Sequence, residues 1–131
     1  MFATIFVLLY VAHLIADYAL QTDHQAKRKM ENSREGWIAN LGHAGTHTIT
    51  TAAALGIGWW ALDLTVSLPA AAIALAWITA SHAFIDRRWP ITWWMTNTGS
   101  TDWISRGGAA HVDQTAHITA LAIAALGLAA L

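Results

Sequence analysis

A chain of 131 residues that is 56% hydrophobic and only 11% charged carries more apolar surface than a soluble domain of that size can bury. Its net charge of -1 offers no basic surface to neutralise phosphates, which excludes nucleic acid as a partner. The absence of cysteine excludes disulfides and thiolate metal sites.

Four segments approach the roughly 20 apolar residues that cross about 30 Å of hydrocarbon. They run from Met1 to about Gln21, Trp37 to about Ala61, Leu68 to about Trp89, and Gly108 to Leu131. The expected fold is all-α: one integral membrane domain over residues 1–131, built as a four-helix transmembrane bundle. No basic stretch precedes the first segment, and Asp17-Tyr-Ala-Leu-Gln21 stands where a small-residue cleavage motif would be, so it reads as a retained helix and not a signal peptide. Inside it, His13, Asp17 and Gln21 are four residues apart and stack on one helical face.

The next stretch, Thr22 to Gly36, holds Lys27, Arg28, Lys29 and Arg34. The second span is the least apolar, with Thr46, Thr48, Thr50 and Thr51 beside His43 and His47. Only Asp63 marks the short Leu62–Ser67 connection. The third span ends in Ser81-His82 and Asp86, and Arg87, Arg88 and Arg106 fall in the long stretch after it. Every Lys and Arg therefore lies on one side of a four-span arrangement, which places both long loops in the cytoplasm and both termini outside.

Trp37, Trp89, Trp93, Trp94 and Trp103 form an aromatic belt on the cytoplasmic side, with Trp59 and Trp60 on the other. The Trp89–Trp103 stretch reads as a lipid-facing connector, or as a surface segment over the mouth of a site. Lys27-Arg-Lys29 attracts anionic headgroups or serves only to fix topology. The last span carries Asp113, His117 and the small residues Ala116, Ala120 and Ala124; the second carries Ala52 and Gly56. Small residues at four-residue spacing suit tight bundle packing, with a homodimer seam as the sharper option.

The chemistry lies in four pairs, His13/Asp17, His43/His47, His82/Asp86 and Asp113/His117, all at i, i+4. At about 1.5 Å per residue, all four fall within roughly 15 Å of the cytoplasmic boundary. Because the helices alternate in direction, this requires pairs late in the first and third spans and early in the second and fourth, as the sequence has them. Five imidazoles and three carboxylates thus converge in the cytoplasmic half, much as carboxylate bundle proteins gather ligands from four helices.

Three buried aspartates without cations are expensive. Two divalent ions and one hydroxide neutralise them, so the pattern predicts a two-metal site in which all eight residues are ligands. With nitrogen and oxygen donors and no sulfur, zinc is the first choice, then iron or manganese. Two ions about 3.5 to 4 Å apart activate water and polarise a phosphoryl or carbonyl group, which implies hydrolysis of a lipid-linked or other phosphate or ester substrate. A His/Asp relay for protons, passage of a divalent metal, and a non-catalytic hydrogen-bond or structural-metal cluster are the alternatives.

Gln21 and Gln114 read either as residues that orient a ligand or as plain bundle hydrogen bonds. Asp23, His24 and His111 sit near the interface as solvated or capping residues, and Asp102 belongs to a loop. Ser81 reads as bonded to its own backbone and not as a nucleophile.

His13-x-x-x-Asp17-Tyr-x-Leu-Gln21-Thr22, His43-x-x-x-His47, Ser81-His82-x-x-Ile85-Asp86 and Asp113-Gln114-x-x-His117 together resemble the domain-of-unknown-function 3307 family, small multi-pass membrane proteins of bacteria and phages. The resemblance implies an integral membrane protein with these pairs as its signature and carries no established activity. The His/Asp pattern is also similar, more weakly, to inner-membrane proteins labelled metal-dependent hydrolases, which are longer and differ in spacing.

Overall fold

In the computed structural model, residues 1–130 are described; the expected end of the last span at Leu131 lies outside them. The described residues form helices and no strand. The long elements are α1 (Phe2–Leu14), α3 (Arg34–Ala61), α4 (Leu68–Ile85) and α7 (Gly108–Ala130). The short ones are α2 (Asp23–Arg28), α5 (Trp89–Asn97) and α6 (Thr101–Ser105). The four long helices pack in a ring, α1 on α3, α3 on α4, α4 on α7 and α7 on α1. Three segments are long and apolar enough to cross a membrane: Phe2–Ala19, Leu68–Ile85 and Gly108–Ala130. The threonine- and histidine-bearing α3 does not meet that standard.

Local chemistry sets the boundaries. Thr22 and Gln25 form a reciprocal capping box that starts α2, the Gln25 amide donating to Thr22 Oγ1 and the Thr22 amide to Gln25 Oε1. Ser33 accepts from the Gly36 amide and starts α3 three residues before the expected Trp37. Ser67 accepts from the Ala70 amide at the start of α4. That helix stops at Ile85 and not at Trp89, because Arg88 turns the chain with φ 65, a left-handed conformation unusual for a residue with a side chain. The first helix also departs from expectation. From Ile15 to Ala19 it widens to a π-turn, with the Leu20 amide donating to Ile15 O at 3.0 Å. Such turns are frequent at functional sites, and this one contains Asp17.

At the end holding the termini, the ring is filled by Ile5, Leu9, Leu55, Ala71, Ala74, Leu121, Ala125 and Leu128. Ala120 and Ala124 are buried inside the bundle, while Ala52 is exposed. The expected packing role for the α7 small residues is thus met within one chain. At the other end α5 buries Ile91 and Met95 in a cluster with Ile85 and Ala109, and leaves Trp89, Trp93 and Trp94 exposed.

Candidate metal centre

The π-turn of α1 delivers Asp17 to the middle of the ring. His43 Nε2 and His47 Nε2 lie 3.1 and 3.0 Å from its Oδ1, with His82 Nε2 at 3.8 Å. Its Oδ2 lies 3.2 Å from His13 Nε2. Asp86, at the end of α4, has Oδ2 3.2 Å from His82 Nε2 and 3.5 Å from His43 Nε2, and Oδ1 3.8 Å from His117 Nε2. The imidazoles interleave, with ring centroids 3.5 Å apart for His47 and His82 and 4.2 Å for His82 and His117. All five histidines and Asp86 are buried. The helices place them so because each pair occupies one face within a turn or two of the loops.

Two overlapping sets, Asp17 with His43, His47 and His82, and His82 with Asp86 and His117, have ligand atoms within 4.8 Å of one another and could hold a metal ion. Tetrahedral zinc with ligand bonds near 2.0 to 2.1 Å separates its ligand atoms by about 3.3 Å. The 3.0 to 3.8 Å separations around Asp17 Oδ1 straddle that value. The hydrogen-bond pattern points the same way. His82 Nε2 and His117 Nε2 are buried without a hydrogen-bond partner among the described residues, although carboxylates lie nearby. Unpaired buried polar atoms are costly, and a shared cation would satisfy these two.

The other expected residues fall around this core. His13 approaches through Asp17, its ring tilted against those of His47 and His117 at centroid distances of 5.1 and 5.3 Å. Asp113 sits on the other ring nitrogen of His117, its backbone carbonyl 3.1 Å and its Oδ2 3.5 Å from Nδ1, so it holds that ring from outside the cluster. Such a carboxylate fixes tautomer and ring orientation. Gln114 lies between His13 and Asp17, donating from Nε2 to Asp17 Oδ2 at 3.3 Å, with its Oε1 3.4 Å from His13 Nε2. Gln21 Nε2 lies 2.7 Å from His43 Nε2. Both glutamines therefore touch cluster residues. Ser81 donates to Ile78 O, as its position in a helix suggests. Asp23, His24, Asp102 and His111 are exposed and stand apart from the cluster.

Three residues of this region escape a reading of the sequence. Lys29 Nζ donates to Asp86 Oδ2 at 2.9 Å. Arg87, almost fully buried, donates to the carbonyls of Lys29 and Glu31 at 2.9 and 2.8 Å, with its guanidinium 4.3 Å over the Trp37 ring. Nothing in a basic run marks one lysine as turning inward. Asn40, fully buried with neither side-chain atom hydrogen-bonded among the described residues, lies one turn before His43 on the same face of α3, and that spacing is a usable signal. Outside the helical core, the Glu31 and Glu35 carboxylates raise the pKa of exposed Arg28 and tie it to the same stretch.

The arrangement defines a class: an all-helical protein with helices able to cross a membrane and a buried His/Asp cluster able to hold a metal ion. The chain belongs to the family described as Protein of unknown function (DUF3307), whose model matches residues 5–131. No curated protein and no solved structure matches it.

Proposed function

We propose that the protein is a single-domain, four-helix transmembrane bundle with both termini outside, and that the cluster in its cytoplasmic half is the metal centre of a hydrolase working at the inner leaflet. The observation that carries this reading is the convergence of five imidazoles and two carboxylates at one depth, with two buried nitrogens that hydrogen-bond to none of the described residues. α3 completes the bundle because its polar face is turned to its neighbours: His43, His47 and Thr51 are buried, and its Thr48 hydroxyl meets that of Thr79 on α4 at 2.6 Å. The exposed tryptophans of α5 suit the headgroup region, and the bilayer itself is the principal partner.

A bound zinc ion, or iron or manganese, supplies Lewis acidity toward a phosphoryl or carbonyl oxygen and lowers the pKa of water. Asp17, His43, His47 and His82 hold it, and Asp86 and His117 border it. Gln114 orients His13 and Asp17, Asp113 fixes His117, and Gln21 lies against His43. The substrate class is a phosphate or ester carried on a lipid or presented at its surface. Transport is the weaker reading, since a path across the bundle must pass the apolar packing of Leu9, Leu55 and Leu121. Self-association would use the outward Ala52 and Gly56.

Elemental analysis of protein purified in detergent without chelator tests the reading. Stoichiometric zinc, iron or manganese is expected, reduced in His47→Ala and His82→Ala, together with metal-dependent release of phosphate or alcohol from lipid esters. Imidazole ligands bind metal in the neutral form, so loading falls on acidification. Metal-free wild-type protein would overturn the proposal.

A further inference from the structure

The cluster contains one cation of its own, and this bears on how many ions it takes. The two possible ligand sets share His82, whose Nε2 is the nitrogen nearer both carboxylates, 3.8 Å from Asp17 Oδ1 and 3.2 Å from Asp86 Oδ2. One imidazole nitrogen has one lone pair and binds one ion, so a second ion would depend on Asp86 and His117. The carboxylate of the second set is already engaged: Lys29 Nζ sits 2.9 Å from Asp86 Oδ2, with side chains 16% and 3% exposed.

Lys29 is held there by more than its own ion pair. The residue next to its partner, Arg87, grips the Lys29 and Glu31 carbonyls. Gly36 lets the same stretch lie against α3, where a Cβ would strike the Glu31 carbonyl. A lysine that served only to fix topology would keep its ammonium in water, whereas this one is fastened over the carboxylate by two adjacent residues just past the end of α4.

Charge gives the same answer. With Asp17, Asp86 and Lys29, one divalent ion leaves a single net positive charge, which a monoanionic ligand cancels. A second ion would leave three in an enclosed, poorly solvated space, and the outlying Asp113 could offset only one of them.

We propose that the centre takes one divalent ion, at Asp17, His43, His47 and His82, and that the Lys29 ammonium on Asp86 stands in place of a second. This rests on the metal-binding reading above and revises the two-ion expectation. In a hydrolytic site Lys29 then faces the anionic oxygen of the substrate, the part a second ion plays in two-metal centres.

The test is zinc titration of the metal-free, detergent-purified chain by calorimetry, with elemental analysis of the loaded protein. Wild type and Lys29→Arg are expected to bind one equivalent. Lys29→Met frees Asp86 and is expected to bind a second, at least about tenfold tighter than any second equivalent in wild type. Adding Asp86→Asn to Lys29→Met returns the count to one. Independently of any variant, X-ray absorption of wild type in excess zinc should show no zinc–zinc scattering at about 3.5 to 4 Å. Such scattering, two tight equivalents in wild type, or one equivalent of unchanged affinity in Lys29→Met overturns the inference and leaves the metal centre standing. Absence of any bound ion in wild type overturns both.

Discussion

At the end holding the termini, α1, α3, α4 and α7 meet through Ile5, Leu9, Leu55, the alanines of α4 and Leu128; a few turns away the same four helices meet through five imidazoles and two carboxylates. The first end is assembled by size: small residues on α4 and α7 admit large ones from α1 and α3, and dispersion contacts hold them. The second is assembled by chemistry, since its groups are tolerable inside a bundle only when paired with one another or with cations. One helical ring can therefore divide its labour along its axis. The dry end supplies rigidity, and the polar end spends some of that rigidity on a site.

Breaking each end in turn should separate these roles. Asp17 touches four histidines and Gln114, so Asp17→Ala should have the largest effect, abolishing metal binding and costing about 3 to 5 kcal/mol of stability. Elemental analysis and reversible denaturation in mixed micelles read both, and retention of metal by this variant would contradict the comparison. Leu9→Ala, in the dry end, should cost about 2 to 4 kcal/mol through the cavity it leaves, with metal content unchanged. Loss of metal there would show that the two ends are not independent. The smallest effect is expected where the halves adjoin. Trp77 Nε1 donates to Ala120 O at 2.9 Å, and Trp77→Phe should cost about 0.5 to 1.5 kcal/mol without altering metal affinity.

The i, i+4 spacing of His13/Asp17, His43/His47, His82/Asp86 and Asp113/His117 made a polar convergence legible before any coordinates. Helical periodicity fixes which side chains share a face, and alternating helix direction fixes which share a depth. The helical character of the chain and the three most apolar spans follow equally directly from composition. Periodicity does not say which nitrogen of a ring looks inward. Asp113 therefore read as a member of the core and stands instead behind His117. Nor does it foresee a π-turn, which depends on how α1 settles against its neighbours and which carries Asp17.

The sequence by itself determined that His and Asp residues from four helices would be gathered at one level of an apolar helical protein, because that follows from spacing and hydropathy along each segment. Only the tertiary structure decided that Lys29, distant in sequence from Asp86 and set in a run of surface-type charges, would close on that carboxylate while Arg87 held its backbone. Contacts within a helix obey a local period, but a contact between a loop and a helix end depends on the path the whole chain takes. For that reason the charge of the site, unlike its ligands, could be counted only after folding.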